Sequence, residues 1–142
     1  MKFPQTPEDI ENEILISSEK AQNFGDLRIR QFIKILLLIK DQEIIVEGII
    51  RIFENTNNFL AQEFAGKVLE EINPKTHKDL KEVLTRTTKE WNVSVEQLPI
   101  WLQINYGLPK LQEVLEEHDA LKLDPNKIRT IRYWLNLRQT IV

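Results

Sequence analysis

The chain has 142 residues, 42% of them hydrophobic and 29% charged, and carries a formal net charge of −3. This balance fits one domain able to bury a continuous core and excludes a disordered polyelectrolyte. Cysteine is absent, which removes disulfides, thiolate metal sites and cysteine nucleophiles, while the overall acidity weighs against nucleic acid as the chief partner.

The first residues, Met1 to Asp9, hold no apolar stretch and turn acidic at once, so no signal peptide is expected and the cytoplasm is the expected compartment. Thr6, Pro7, Glu8 and Asp9 supply an N-cap, a proline for the first helical position and acids where the macrodipole favours them. They predict a helix to about Asn23 with Ile10, Ile14, Ser17 and Ala21 on one face, ended by Gly25.

From Leu27 to Lys40 the stripe Ile29, Phe32, Ile33, Leu36 and Leu37 is widened by Ile35, Leu38 and Ile39, leaving a narrow polar strip through Arg30, Gln31 and Lys34. A helix apolar over most of its circumference is expected to be surrounded by neighbours. Six charges between Phe32 and Phe53 exclude a membrane span, which needs about 20 mostly apolar residues.

The next helix, from about Gln42 to Glu54, faces Ile45, Ile49, Ile52 and Phe53 inward and keeps Glu43, Glu47, Arg51 and Glu54 wet. After the turn Asn55 to Asn58, a helix from Phe59 to Ile72 stops at Asn73 and Pro74, and Ala61, Ala65 and Gly66 invite the close approach of a neighbour. A further helix from Lys75 or Thr76 to Trp91 buries Leu80, Val83, Leu84, Thr87 and Trp91. Its opposite ladder, Lys78, Glu82, Arg86 and Glu90, reads as solvent-facing support without function.

Ser94 with Glu96 and Gln97 suggests a capping box, Pro99 a start that becomes regular only from there through Tyr106, and Gly107 a left-handed end. Leu108 and Pro109 start a helix to Glu117 or His118 with Leu111, Val114 and Leu115 inward, and Asp124 and Pro125 start the last, to about Leu137, on Ile128, Ile131, Trp134 and Leu135. No segment alternates with period two between hairpin turns, so the predicted fold is a single all-α domain spanning residues 1–142.

The helices group as pairs at about 27 to 55, 58 to 91 and 94 to 117. The apolar pair, the turn Asn55-Thr56-Asn57-Asn58 and the following Phe59-Leu60-Ala61-Gln62-Glu63-Phe64-Ala65 resemble the HEAT and armadillo families of helical repeats, chiefly over Leu27 to Glu71. The resemblance implies stacked antiparallel helix pairs, a short α-solenoid. Asn58 and Phe59-Leu60 stand where HEAT repeats often carry an aspartate and a Val-Arg pair, and Pro99 interrupts the third pair, so a compact multi-helix bundle of the same helices is the alternative.

Chemistry is sparse. His77 and His118 lack carboxylate or histidine partners at helical offsets, Glu116, Glu117 and Asp119 have no calcium-loop spacing, and the glycine-rich nucleotide and hydrolase motifs are missing. Neither enzyme activity, metal nor cofactor is expected.

The charge is uneven: residues 93–119 hold one basic and five acidic groups, and residues 120–142 five basic and one acidic. Arg129, Arg132, Tyr133 and Asn136 share one side of the last helix, a stripe suited to an acidic partner or a phosphate backbone. The competing expectation is that these arginines pair within the molecule with the acids from Glu113 to Asp119. Trp101, beside Pro99, is expected to pack in the core and would be a partner hot spot if exposed.

The resulting expectation is a non-enzymatic interaction or scaffold protein binding another protein through Arg129, Arg132, Tyr133, Asn136 and Trp101, with no membrane. Because a short solenoid needs capped ends, a homodimer is a reasonable expectation. A nucleic-acid-associated regulator and a small-molecule-binding or catalytic helical domain are the alternatives.

Overall fold

The computed structural model describes residues 1–141, with side chains to Asn136, and among these it contains helices and no strand. In chain order they are α1 (Pro7–Phe24), α2 (Leu27–Leu36), α3 (Gln42–Asn55), α4 (Phe59–Ile72), α5 (Leu80–Thr88), α6 (Gln97–Tyr106), α7 (Leu108–Leu115) and α8 (Pro125–Ile141).

Local chemistry sets most of the boundaries. The Thr6 side chain accepts the Asp9 N–H while the Asp9 carboxylate accepts the Thr6 N–H, closing a capping box at α1. The Asn58 Oδ1 accepts from Ala61 to open α4, and Asn73, at φ 47°, closes it in the left-handed region.

Helices two apart in sequence lie side by side. One layer runs α1 on α3, α3 on α5 and α5 on α7; the other runs α2 on α4, α4 on α6 and α6 on α8. Contacts of α1 with α2 and α4, of α3 with α4 and of α6 with α7 join the layers. The architecture is all-α, a two-layer stack of helix pairs around one core cluster that extends from Ile10 to Leu135.

Several expectations change. The pairing differs from the expected one at its start, where α1 contacts α2 and α3 contacts α4, while the expected pair α6 and α7 is in contact; Ile10 of α1 reaches α3 at Gly48. The approach is close enough that a Cβ on Gly48 of α3 would lie 2.8 Å from Ile10 Cβ and 3.0 Å from the Pro7 carbonyl oxygen.

The second change concerns α2, which ends at Leu36 rather than Lys40. Tightened i to i−3 bonds from the Leu38 and Ile39 N–H groups to Ile35 and Leu36 unwind it, and Asp41 caps α3. Leu37 and Leu38 are 63% and 70% exposed, so α2 buries only Ile29, Phe32, Ile33 and Leu36 and is not enclosed by neighbours.

The third is α5, which begins at Leu80 on an Asp79 cap. Residues 73–79 form instead an irregular strap pinned to α3: the Lys75 N–H bonds to Gln42 Oε1, and the Thr76 hydroxyl and His77 N–H bond to the Glu43 carboxylate. Two members of the predicted ladder, Lys78 and Arg86, are correspondingly engaged with α3, while Glu82 stays exposed. Arg86 makes bidentate bonds of 2.7 to 3.0 Å to Glu47 and Glu54, and Lys78 reaches Glu47 at 3.0 Å, which ties α5 and the strap to α3.

One buried polar side chain bridges two turns. Gln62, fully buried on α4, donates to the Thr56 and Glu90 carbonyls and accepts the Asn92 N–H. Gly66 of α4 acts as its spacing predicts, so close to the start of α6 that an added Cβ would stand 3.0 Å from Val95 Cγ1 and 3.1 Å from Gln97 Oε1. The helix α6 starts at Gln97 rather than Pro99; Ser94 bonds back to Asn92 instead of forming a capping box, and Pro99 sits in the first turn, where its missing N–H costs nothing.

Candidate functional site

Asp124 Oδ1 accepts the Asn126 N–H and Pro125 occupies the first position, so α8 begins where the sequence places it. Ile128, Ile131 and Leu135 enter the core. Half-buried Trp134 donates its indole N–H to the Val93 carbonyl at 2.8 Å and Lys127 Nζ donates to the Lys89 carbonyl, which fixes α8 on the turn after α5.

This anchoring leaves Arg129, Arg132, Tyr133 and Asn136 on the exposed side. Tyr133 is 57% exposed and packs edge-on to Trp134 with ring centroids 5.4 Å apart. Arg132, Leu135 and Asn136 also form one wall of a cleft of about 500 Å³ whose other wall is Gln112 and Glu116 at the end of α7.

The expected intramolecular neutralisation does not occur. Among the described residues Arg129 and Arg132 form no ion pair; Glu117 pairs with Lys81 of α5 at 3.0 Å, and Asp119 lies 3.1 Å from His118 Nδ1. The reason is that α7 stops at Leu115, and the turns that follow, with Lys122 at φ 59°, leave Glu117 facing α5.

Trp101 does not join this surface. It is 3% exposed and donates its indole N–H to the Pro74 carbonyl at 2.9 Å, so the exposure that would make it a hot spot is absent. Tyr106 on the same helix bonds to the Lys78 carbonyl at 2.7 Å, and burial with Glu43, Asp79 and Glu82 nearby pushes its phenol up to about 12. Both rings hold the strap.

A smaller groove, about 270 Å³, lies between α4 and α6 over Leu69, Ile100, Trp101 and Ile104, with Glu70 and Glu96 at its polar margin. Sequence reasoning missed it because its walls come from helices nearly thirty residues apart.

Among the described residues no three His, Cys, Asp or Glu side chains gather as a metal site would require, His77 is exposed on the strap, and no helix is long and apolar enough to cross a membrane. The Glu47 carboxyl is held down at about 2, first by the Arg86 hydrogen bonds and then by Lys78, so it stays ionised and makes a poor proton acceptor.

Comparison of the chain with protein-family models, with curated proteins and with solved structures returns no match.

Proposed function

We propose that this chain is a non-enzymatic interaction module that binds an acidic segment of another protein along the exposed side of α8. The observation that carries the reading is the pair Arg129 and Arg132, exposed beside the exposed Tyr133 and without an ion pair among the described residues, although acids stand one helix away. Arginine forks match carboxylates in two-point geometry, and a tyrosine beside them adds rigid amphipathic area at small entropic cost.

The cleft behind Arg132 extends the same surface with the Leu135 and Asn136 wall. The net charge of −3 weighs against a phosphate backbone, whose binders usually carry a strongly basic domain.

The test is affinity capture from the native cell with the wild-type chain and with R129E/R132E, read by mass spectrometry after nuclease treatment. Both substitutions lie on solvent-exposed positions, so the thermal transition should be unchanged. Loss of an acidic protein from the double variant supports the reading. Equal capture of the same partners by both forms refutes it, as does retention of nucleic acid alone before nuclease treatment.

A further inference from the structure

We infer that the groove between α4 and α6 is a second docking site, which takes an arginine or lysine carried on an apolar peptide segment. The inference is independent of α8, since no residue of the groove belongs to that helix.

Space and shape come first. At Gly66 the start of α6 comes so close, through Val95 and Gln97, that no Cβ fits without displacement, and beyond it the groove opens between Leu69 of α4 with its cap Asn73 and Ile100 and Ile104 of α6. Its volume of about 270 Å³ admits a long side chain together with part of its neighbour. Ile104 stands 44% exposed at the lip, an aliphatic side chain whose cover would be favourable.

Electrostatics then select the occupant. Glu70 and Glu96 are exposed and form no ion pair among the described residues; Glu70 receives only a 3.5 Å approach from Gln97 Nε2. The cation nearest in sequence to Glu70, Lys67, is held by Asp26 at 3.0 Å. The Trp101 N–H is committed to Pro74, and Asn73 in the groove wall has a buried Oδ1 without a partner.

The groove thus offers acceptors and negative charge over an apolar floor, with no uncommitted cation of its own. A guanidinium or ammonium on a methylene stem answers both parts: the stem lies on Leu69, Ile100 and Ile104 while the head reaches Glu70 and Glu96. A carboxylate would be repelled there, and a neutral apolar segment would leave the acids unanswered.

The experiment is a nitrogen-proton correlation NMR titration of the full chain with acetyl-Leu-Arg-Leu-amide, using acetyl-Leu-Glu-Leu-amide as the charge-reversed control. The expected result is a saturable shift of the Trp101 indole N–H and the Ile104 amide with the arginine peptide, none with the glutamate peptide, and binding weakened about tenfold in E70Q/E96Q. A second variant, I104K, places a cation in the lip and should abolish the shifts with the fold intact. Equal response to both peptides, undiminished binding by E70Q/E96Q, or silence at the groove overturns the inference. So does a shift of Ile104 on dilution without peptide, which would mean that a second copy covers the groove.

Discussion

Replacing Glu47 by glutamine tests whether the α3–α5 junction is held by charge. The carboxyl is drawn from 4.5 to about 2, chiefly by the Arg86 fork, with Lys78 and Arg51 behind it. At about 1.36 kcal/mol per pK unit the full shift corresponds to about 3 kcal/mol, and the 18% of the side chain that remains in contact with water reduces this to about 2. The folded-state pKa is depressed, so the contribution is complete above 4.5 and is lost as pH falls toward about 2. Urea unfolding followed by circular dichroism across that interval should therefore show wild-type stability falling steeply and Glu47→Gln, already about 2 kcal/mol weaker at neutral pH, falling less. If both proteins lose stability in parallel through that window, the ion cluster contributes nothing of the kind described.

Other contacts give sharper local tests. Gly48→Ala should destabilise by about 1 to 3 kcal/mol in chemical denaturation despite the better helix propensity of alanine, because the new Cβ meets Ile10 and a Pro7 carbonyl that cannot yield alone; a stabilised variant would show that α1 and α3 are not so close. Gln62→Leu leaves two carbonyls and an N–H without their partner, and a loss of about 2 to 4 kcal/mol in the same assay is expected. The phenol of Tyr106 should ionise near 12 rather than 10, with stability lost as pH rises through that interval; ultraviolet difference titration of Tyr133→Phe isolates it, and a midpoint at 10 would contradict its burial on the strap. Leu37→Ser and Leu38→Ser should each shift the thermal transition by no more than about 0.5 kcal/mol equivalent, whereas a core role would cost several times that.

The parts of this fold that can be read from the sequence are those governed by neighbours along the chain. Thr6 to Asp9, Asn58 and Asp124-Pro125 start helices because each supplies its own cap within a turn. The spaced Ala61, Ala65 and Gly66 state that something must come close, though not that it is α6. The arginine and tyrosine side of α8 is legible for the same reason, since a 3.6-residue period alone separates it from Ile128, Ile131 and Leu135.

What depends on distant contacts is not legible. Helical pattern continues through Leu37 and Leu38, yet the chain leaves the helix there because Asp41 starts another. Lys75 to Lys78 would suit a helix equally well, but Glu43 and Gln42, more than thirty residues earlier, hold their backbone out of it. Arg86 reads as one rung of a surface ladder until α3 presents two carboxylates to it. Likewise, whether Arg129 and Arg132 would be neutralised depended on how Glu117 leaves α7, which no local spacing encodes.

Gln62 carries a consequence for how this chain can vary. Every group it grips belongs to the main chain, at Thr56, Glu90 and Asn92. The side chains of both turns are therefore free to change with little effect on that junction, while a single inserted or deleted residue in either would move a carbonyl or an N–H out of reach. At this junction the two turns are constrained by length rather than by side-chain identity, so positions outside the Asn58 and Asn92 side-chain bonds can drift among descendants of this sequence while the spacing to Gln62 is kept.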